Sequence, residues 1–274
     1  MTRAARVAGV TLVALWLSVP LLPIPIWAAA ERWTFPAALP QSWGSQGWLD
    51  ALDSGLAGAM WRSFLLGVAV AAIATPLGVL TGRVLGWRLT RRPWLVVSVL
   101  LVPLVLPPFA VSMGLDVVLI RLGIPELVAV VVLLAVVATP YTAYTCAVGF
   151  ARLSPEVEEQ ARALGATVRQ ARLRVVLPAA RRSILIAALL AFLVGWSDYV
   201  VTLLVGGGQL LTAPILLGSA ASGSGNDPAV AALTIATLLP PVLLVSTAAW
   251  LQRHRPAARR PSPSPMPASE RIRP

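Results

Sequence analysis

The chain has 274 residues, 57% hydrophobic and 12% charged, with a mean hydropathy of +0.79; soluble domains carry about 25% charged residues, so an ordinary soluble enzyme and a disordered chain are excluded and the main solvent is lipid. The net charge is +11 and all 22 basic residues are arginine. With no lysine there is no phosphate-binding loop of the Gly-x-x-x-x-Gly-Lys type, so ATP, if it drives this protein, is bound by another chain, and arginines scattered between apolar runs do not form the basic patch of a nucleic-acid binder.

Charge-free or nearly charge-free apolar runs of membrane-spanning length occur at residues 7–30, 63–82, 93–115, 127–151, 183–205 and 228–252. They lack the two-residue alternation of a membrane barrel, so they predict an all-α integral membrane protein of six transmembrane helices, each satisfying its own backbone. The first run starts after Arg3 and Arg6 and ends in Ala28-Ala29-Ala30, a pattern shared with cleavable signal peptides; its length and its prolines at 20, 23 and 25 favour an uncleaved span. Residues 31–60 form a segment rich in Trp, Pro, Ser and Gly, with a short surface helix expected around 49–56. Asp116 closes the third run near an interface, and Asp198 interrupts the fifth. Prolines 76, 103, 107, 108, 140, 240 and 241 are expected to bend spans or free carbonyls, and Gly78-x-x-x-Gly82 offers a close-packing seam, within the subunit or between subunits. The last segment, 252–274, is Pro-, Arg- and Ser-rich, a composition that predicts a disordered polar tail, either solvated or touching anionic membrane lipid.

If every run spans, nineteen arginines fall on one side and only Arg32, Arg62 and Arg121 on the other. The positive-inside rule then puts both termini in the cytoplasm. Trp27 and Trp61 suit the outer interface, and Trp87, Trp94 and Trp250 the inner one.

The connection 152–182 carries seven of these arginines and has local helix signals. Ser154 suits an N-cap, Pro155 a first helical position, and Glu156, Glu158 and Glu159 the positive end of a helix. Val157, Ala161 and Leu164 follow the spacing of one apolar stripe. Gly165 suits a left-handed stop, and Thr167 a cap for a second helix running to about Val176 and ended by Pro178, with Arg169, Arg172 and Arg174 exposed. The result is a compact helix–turn–helix that either docks on a partner or lies on the membrane surface.

Here the residues resemble a known pattern. Glu159-Gln160-Ala161, three residues, Gly165, nine residues and Val175-Val176-Leu177-Pro178 are similar to the Glu-Ala-Ala, Gly, Ile-x-Leu-Pro loop of permease subunits of binding-protein-dependent ABC importers. Gln160 stands for Ala and Val175 for Ile. The resemblance extends over about residues 61–251. It implies that the loop forms coupling helices docking in a cytoplasmic ATP-binding subunit dimer, with Glu159, Ala161 and Gly165 as docking and hinge residues and Leu177-Pro178 fixing the exit into the fifth span. It also implies a second permease copy or a paralogous permease, an external substrate-binding protein, location in the bacterial inner membrane, and no cofactor in this chain.

Counted from Ser183 at about 1.5 Å per residue, Asp198 lies roughly 22 Å from the inner side, in the outer half of the bilayer. An ionisable residue there is a pathway candidate, and Ser197 and Tyr199 add polar groups beside it; the competing role is a structural acceptor for a neighbouring hydroxyl or amide. Ser197-Asp198, Thr212-Ala213-Pro214 and the 228–233 entry into the last span resemble the polyamine, ferric-iron and thiamine branch of these permeases, which implies a small, cationic solute. In polyamine permeases a second acidic residue commonly follows the aspartate, and here Tyr199 stands instead. A stand-alone secondary transporter or channel is the alternative; it predicts an internal inverted repeat, and none is evident. An intramembrane enzyme would need paired catalytic groups or metal ligands at depth. The lone Cys146, in an apolar run, and the lone His254, in the tail, supply neither these nor a disulfide.

Overall fold

In lipid an apolar segment satisfies its amides only by coiling, and helices account for most of what the computed structural model describes, residues 3–34, 36–223 and 227–253. The first apolar run is helical but broken. Helix α1 (Arg3–Ser18) gives way to a 3-10 turn at Val19–Leu21 and then to α2 (Pro23–Ala28). Pro20 and Pro23 sit at that break, where their missing N–H groups leave the ladder incomplete. Strands β1 (Ala30–Arg32) and β2 (Ser42–Trp43) pair antiparallel, with Ala30 opposite Trp43. Helix α3 (Gln46–Asp53) lies slightly earlier than the surface helix expected at 49–56. Gly55, at φ 90°, turns the chain from α3 into the long α4 (Leu56–Gly86).

Helix α4 packs side by side and parallel with α7 (Glu126–Ala151), and α10 (Leu177–Ser197) lies antiparallel against both. The close approach depends on small residues. A Cβ at Gly78 would collide with Thr142, one at Gly82 with Cys146, and one at Gly86 with Phe150. The glycine seam therefore joins α4 to α7 within one chain. Around it Leu66, Val70, Leu134, Ala138 and Ala191 form the main buried cluster. Many outward residues, such as Val99 and Leu80, remain exposed, as lipid-facing side chains do.

The third expected span, 93–115, is not one straight helix. Helix α5 (Pro93–Val105) and α6 (Pro108–Arg121) meet at a 90° bend. Leu106 and Pro107 are extended there, at ψ 133° and 123°. Each precedes a proline, whose ring disfavours the helical conformation of the residue before it. The fifth expected span, 183–205, is also corrected. Its helix is continuous from Val168 to Ser197 and stops where Asp198 turns extended, at φ −70° and ψ 133°. After it come two short pieces, α11 (Val200–Val205) and α12 (Ala213–Ser222), before the last helix α13 (Asp227–Arg253). Helix α6 packs on α11, and α13 packs on α2, α3 and α12.

Among the described residues four helices are long and apolar enough to cross a membrane, or five if the bent pair counts as one span. The broken first run is not among them, so the six-span count is not reached on length and composition. These helices make the chain a multi-pass membrane protein. The tail expected at 252–274 begins inside α13, which continues to Arg253; residues 254–274, His254 included, lie outside the described residues.

Candidate functional site

Two groups of residues stand out, one at each end of the α4–α7–α10 core. At the arginine-rich end the segment 152–182 folds as two short helices, α8 (Glu156–Ala163) and α9 (Val168–Ala171). Three acids, Glu156, Glu158 and Glu159, occupy the first turn of α8, where the helix dipole favours negative charge. Ser154 does not cap this helix with its side chain; Pro155 is the cap residue, and Ser154 contributes only its carbonyl, to Val157 N at 3.2 Å. Gly165 adopts φ 90°. Its N–H bonds Arg162 O at 3.0 Å and the next N–H, of Ala166, bonds Ala161 O at 3.1 Å, the paired closure of a Schellman turn. Open space surrounds the position where a Cβ would sit, so backbone conformation rather than room selects glycine. Thr167 and Gln170 then form a reciprocal capping box, at 2.9 and 3.3 Å, which satisfies two orphan amides.

The apolar stripe expected on α8 does not extend to Leu164. Val157 and Ala161 are half-buried, but Leu164 is 89% exposed, because the Schellman turn ends the helix at Ala163 and carries Leu164 to the apex. The buried residue of α8 is Glu158. Its carboxylate accepts from Arg83 Nη2 at 2.6 Å and from Arg172 Nε at 3.1 Å. Arg83 lies 4.8 Å above the Trp87 ring, and Trp87 Nε1 donates to the carbonyls of Phe150 and Leu153 at 3.0 Å each. Glu158 shows in the sequence only as one of three first-turn acids, since its partner Arg83 is 75 residues away.

Nor does Pro178 end a helix. α9 runs on through one π-helical turn (Arg172–Val176) into α10, with Leu177 N bonding Arg172 O. Proline cannot donate, and its ring crowds the carbonyl four residues back; the widened turn just before it relieves both conflicts. Glu159 and Pro178 are exposed, and Ala161 and Leu177 half-buried.

At the opposite end Asp198 breaks the long helix and caps the piece that follows. Its Oδ2 accepts from Thr202 N at 2.8 Å and Thr202 Oγ1 at 2.9 Å. Ser197 Oγ donates to Leu193 O at 2.7 Å. Ser197 and Tyr199 line an open cavity of about 390 Å³ with Pro214, Leu217, Gly218 and Thr237; Asp198, turned onto Thr202, is not one of its lining residues. Three further side chains hold this end together. Ser63 Oγ accepts from Ala213 N at 2.8 Å, Arg62 Nη1 donates to Leu211 O at 3.1 Å, and Trp196 Nε1 donates to Thr237 O at 3.1 Å. The last follows from Pro241, which cannot donate to the carbonyl four residues before it and leaves that oxygen free for Trp196. Among the described residues there is no cluster of three or more potential metal ligands.

Residues 74–255 match the model of the inner membrane component of binding-protein-dependent transport systems. The chain belongs to that family. This permease is also similar to the crystal structure of an amino acid ABC transporter with histidines, at a TM-score of 0.53 and 17% identity over 78% of this chain and 100% of that one. At that identity the likeness shows the fold alone. No curated protein matches the chain. In ABC transporters of this family the permease is the membrane-spanning subunit, and an ATPase and a substrate-binding protein are its partners.

Proposed function

We propose that this permease forms one half of the translocation pathway of an ABC importer, and that segment 152–182 docks on an ATP-binding subunit dimer and converts its closure into alternating access. Both termini and this segment face the cytoplasm, in keeping with the nineteen arginines that share that side when all six apolar runs span and with the positive-inside rule. The second half is another copy of the chain or a paralogous permease. A substrate-binding protein delivers a small solute to the opposite face, where Ser197 and Tyr199 border the path beside Asp198. A cation of the polyamine, ferric-iron or thiamine-like kind suits the Asp198 carboxylate, which interrupts the fifth apolar run.

The observation that carries this reading is the shape of 152–182. It is a rigid helix–turn–helix with paired caps, a left-handed Gly165 and an exposed apolar apex at Leu164. A slack linker would carry none of these. Glu159 presents a charge on the exposed side of α8, and Leu177-Pro178 lead directly into the long helix.

The test is co-purification from membranes. The wild-type chain is expected to bring down an ATP-binding subunit. Gly165→Pro removes the amide that bonds Arg162 and forbids φ 90°, and Glu159→Arg reverses the exposed charge. Both are expected to lose that subunit while the chain stays membrane-inserted and monodisperse. A wild-type chain with no associated ATPase refutes the reading.

A further inference from the structure

We infer that Glu158 is the positioning residue that passes movement of α8 to two spanning helices at once, to α4 through Arg83 and to α10 through Arg172. This rests on the reading of 152–182 as the coupling element. Burying a carboxylate costs free energy unless it is paired, and Glu158 is paired on both oxygens. A buried ion pair adds little stability over an apolar contact of the same volume. It does impose one geometry, which suits transmission of a displacement better than simple adhesion.

The two arms end in different mechanical settings. Arg83 lies one turn before the end of α4 and covers Trp87, which is bonded to the last carbonyls around α7. Pulling on Arg83 therefore pulls the α4–α7 pair, which the glycine seam makes one body. Arg172 opens the π-helical turn that leads into α10. A π turn has a looser ladder than its neighbours and is a place where a helix can shift register or bend. Helix α8 itself packs on α9 and on the π turn, and it reaches α4 through the Glu158–Arg83 pair. Arg83 Nε, buried beside this pair, has no acceptor among the described residues. A shift of α8 can thus give the guanidinium a second bond, where an apolar contact could only be lost.

The experiment uses the chain co-purified with its ATP-binding subunit. Leu217→Cys, which lines the cavity at the opposite end, serves as reporter in a Cys146→Ser background, and its labelling rate by N-ethylmaleimide is measured with and without ATP and vanadate. With Glu158 intact, ATP is expected to change that rate. With Glu158→Gln the ATPase is expected to remain bound and active while the ATP-dependent change shrinks about tenfold, within the usual range of a coupling free energy. Glu158→Asp, with its shorter arm, is expected to fall between. Arg172→Gln removes only the half-exposed arm; it is expected to reduce the change less, and it carries the test if Glu158→Gln does not fold. An undiminished change with Glu158→Gln, or with Arg172→Gln in its place, overturns the inference. So does loss of the ATPase on Glu158→Gln, which would make the cluster a docking element. If the intact chain binds no ATPase, the underlying reading fails first, before any variant is compared; if it binds one but ATP leaves the reporter unchanged, the inference fails with the moving gate.

Discussion

The two ends of the α4–α7–α10 core are tied together by different chemistry. At the arginine-rich end the ties are long charged side chains: Arg83 and Arg172 converge on Glu158, and Trp87 reaches two carbonyls. At the other end there is no ion pair among the described residues, and the ties run to backbone groups: Ser63 to Ala213, Asp198 to Thr202, Arg62 to Leu211 and Trp196 to Thr237. Long side chains locked in one buried ion-paired cluster bridge separate elements and carry a displacement from one to the next, whereas a hydroxyl on an amide ties only the backbone it touches. The first end is suited to being gripped and moved. The second is suited to holding half-helices in place around an opening. Between them the seam of Gly78, Gly82 and Gly86 leaves no room for slip.

The comparison is broken most severely at that seam. Gly82→Leu is expected to abolish monodisperse protein, and Gly82→Ala to cost about 1–3 kcal/mol through overpacking against Cys146, read as a lower unfolding temperature in detergent. If either is tolerated, the two ends are not joined by a rigid body. Ser63→Ala comes next. It strands the buried Ala213 amide and is expected to cost about 1–3 kcal/mol, loosening α12 as seen by faster hydrogen exchange there. Asp198→Ala removes a cap and is expected to cost about 1 kcal/mol, while Asp198→Asn keeps an acceptor oxygen and most of that stability. If Asp198→Asn instead abolishes uptake with the fold intact, the charge serves the path and not only the cap. Smallest is Thr212→Val. Its buried hydroxyl has no partner among the described residues, so stability is expected to be unchanged or raised by up to about 1 kcal/mol in the same thermal measurement. A loss would reveal a bond at this end that the geometry does not contain.

Much of the segment 152–182 is legible from sequence because its determinants are local. Gly165 and Thr167 act within a few residues of themselves, and the first-turn acids answer to their own helix dipole. Leu164 departs from the apolar stripe because periodicity alone does not show where the turn cuts it. Pro178 does not stop the helix because the π turn before it absorbs the proline. The pairing of Glu158 is not legible for a different reason: it depends on Arg83 in another span. At the opposite end Asp198 was visible as an interruption, yet its bond to Thr202 needed the helix to end at Ser197.

By itself the amino-acid sequence determined the solvent, the helical class, the clustering of arginines in a few connections and the loop pattern that pointed to the family, because hydropathy, charge and short motifs act within a few turns of chain. Only the tertiary structure decided where spans break, that the glycine seam lies inside the chain, and that one carboxylate ties α8 to two helices. Those depend on which helices become neighbours, and distant groups interact only once packing has brought them within hydrogen-bond reach.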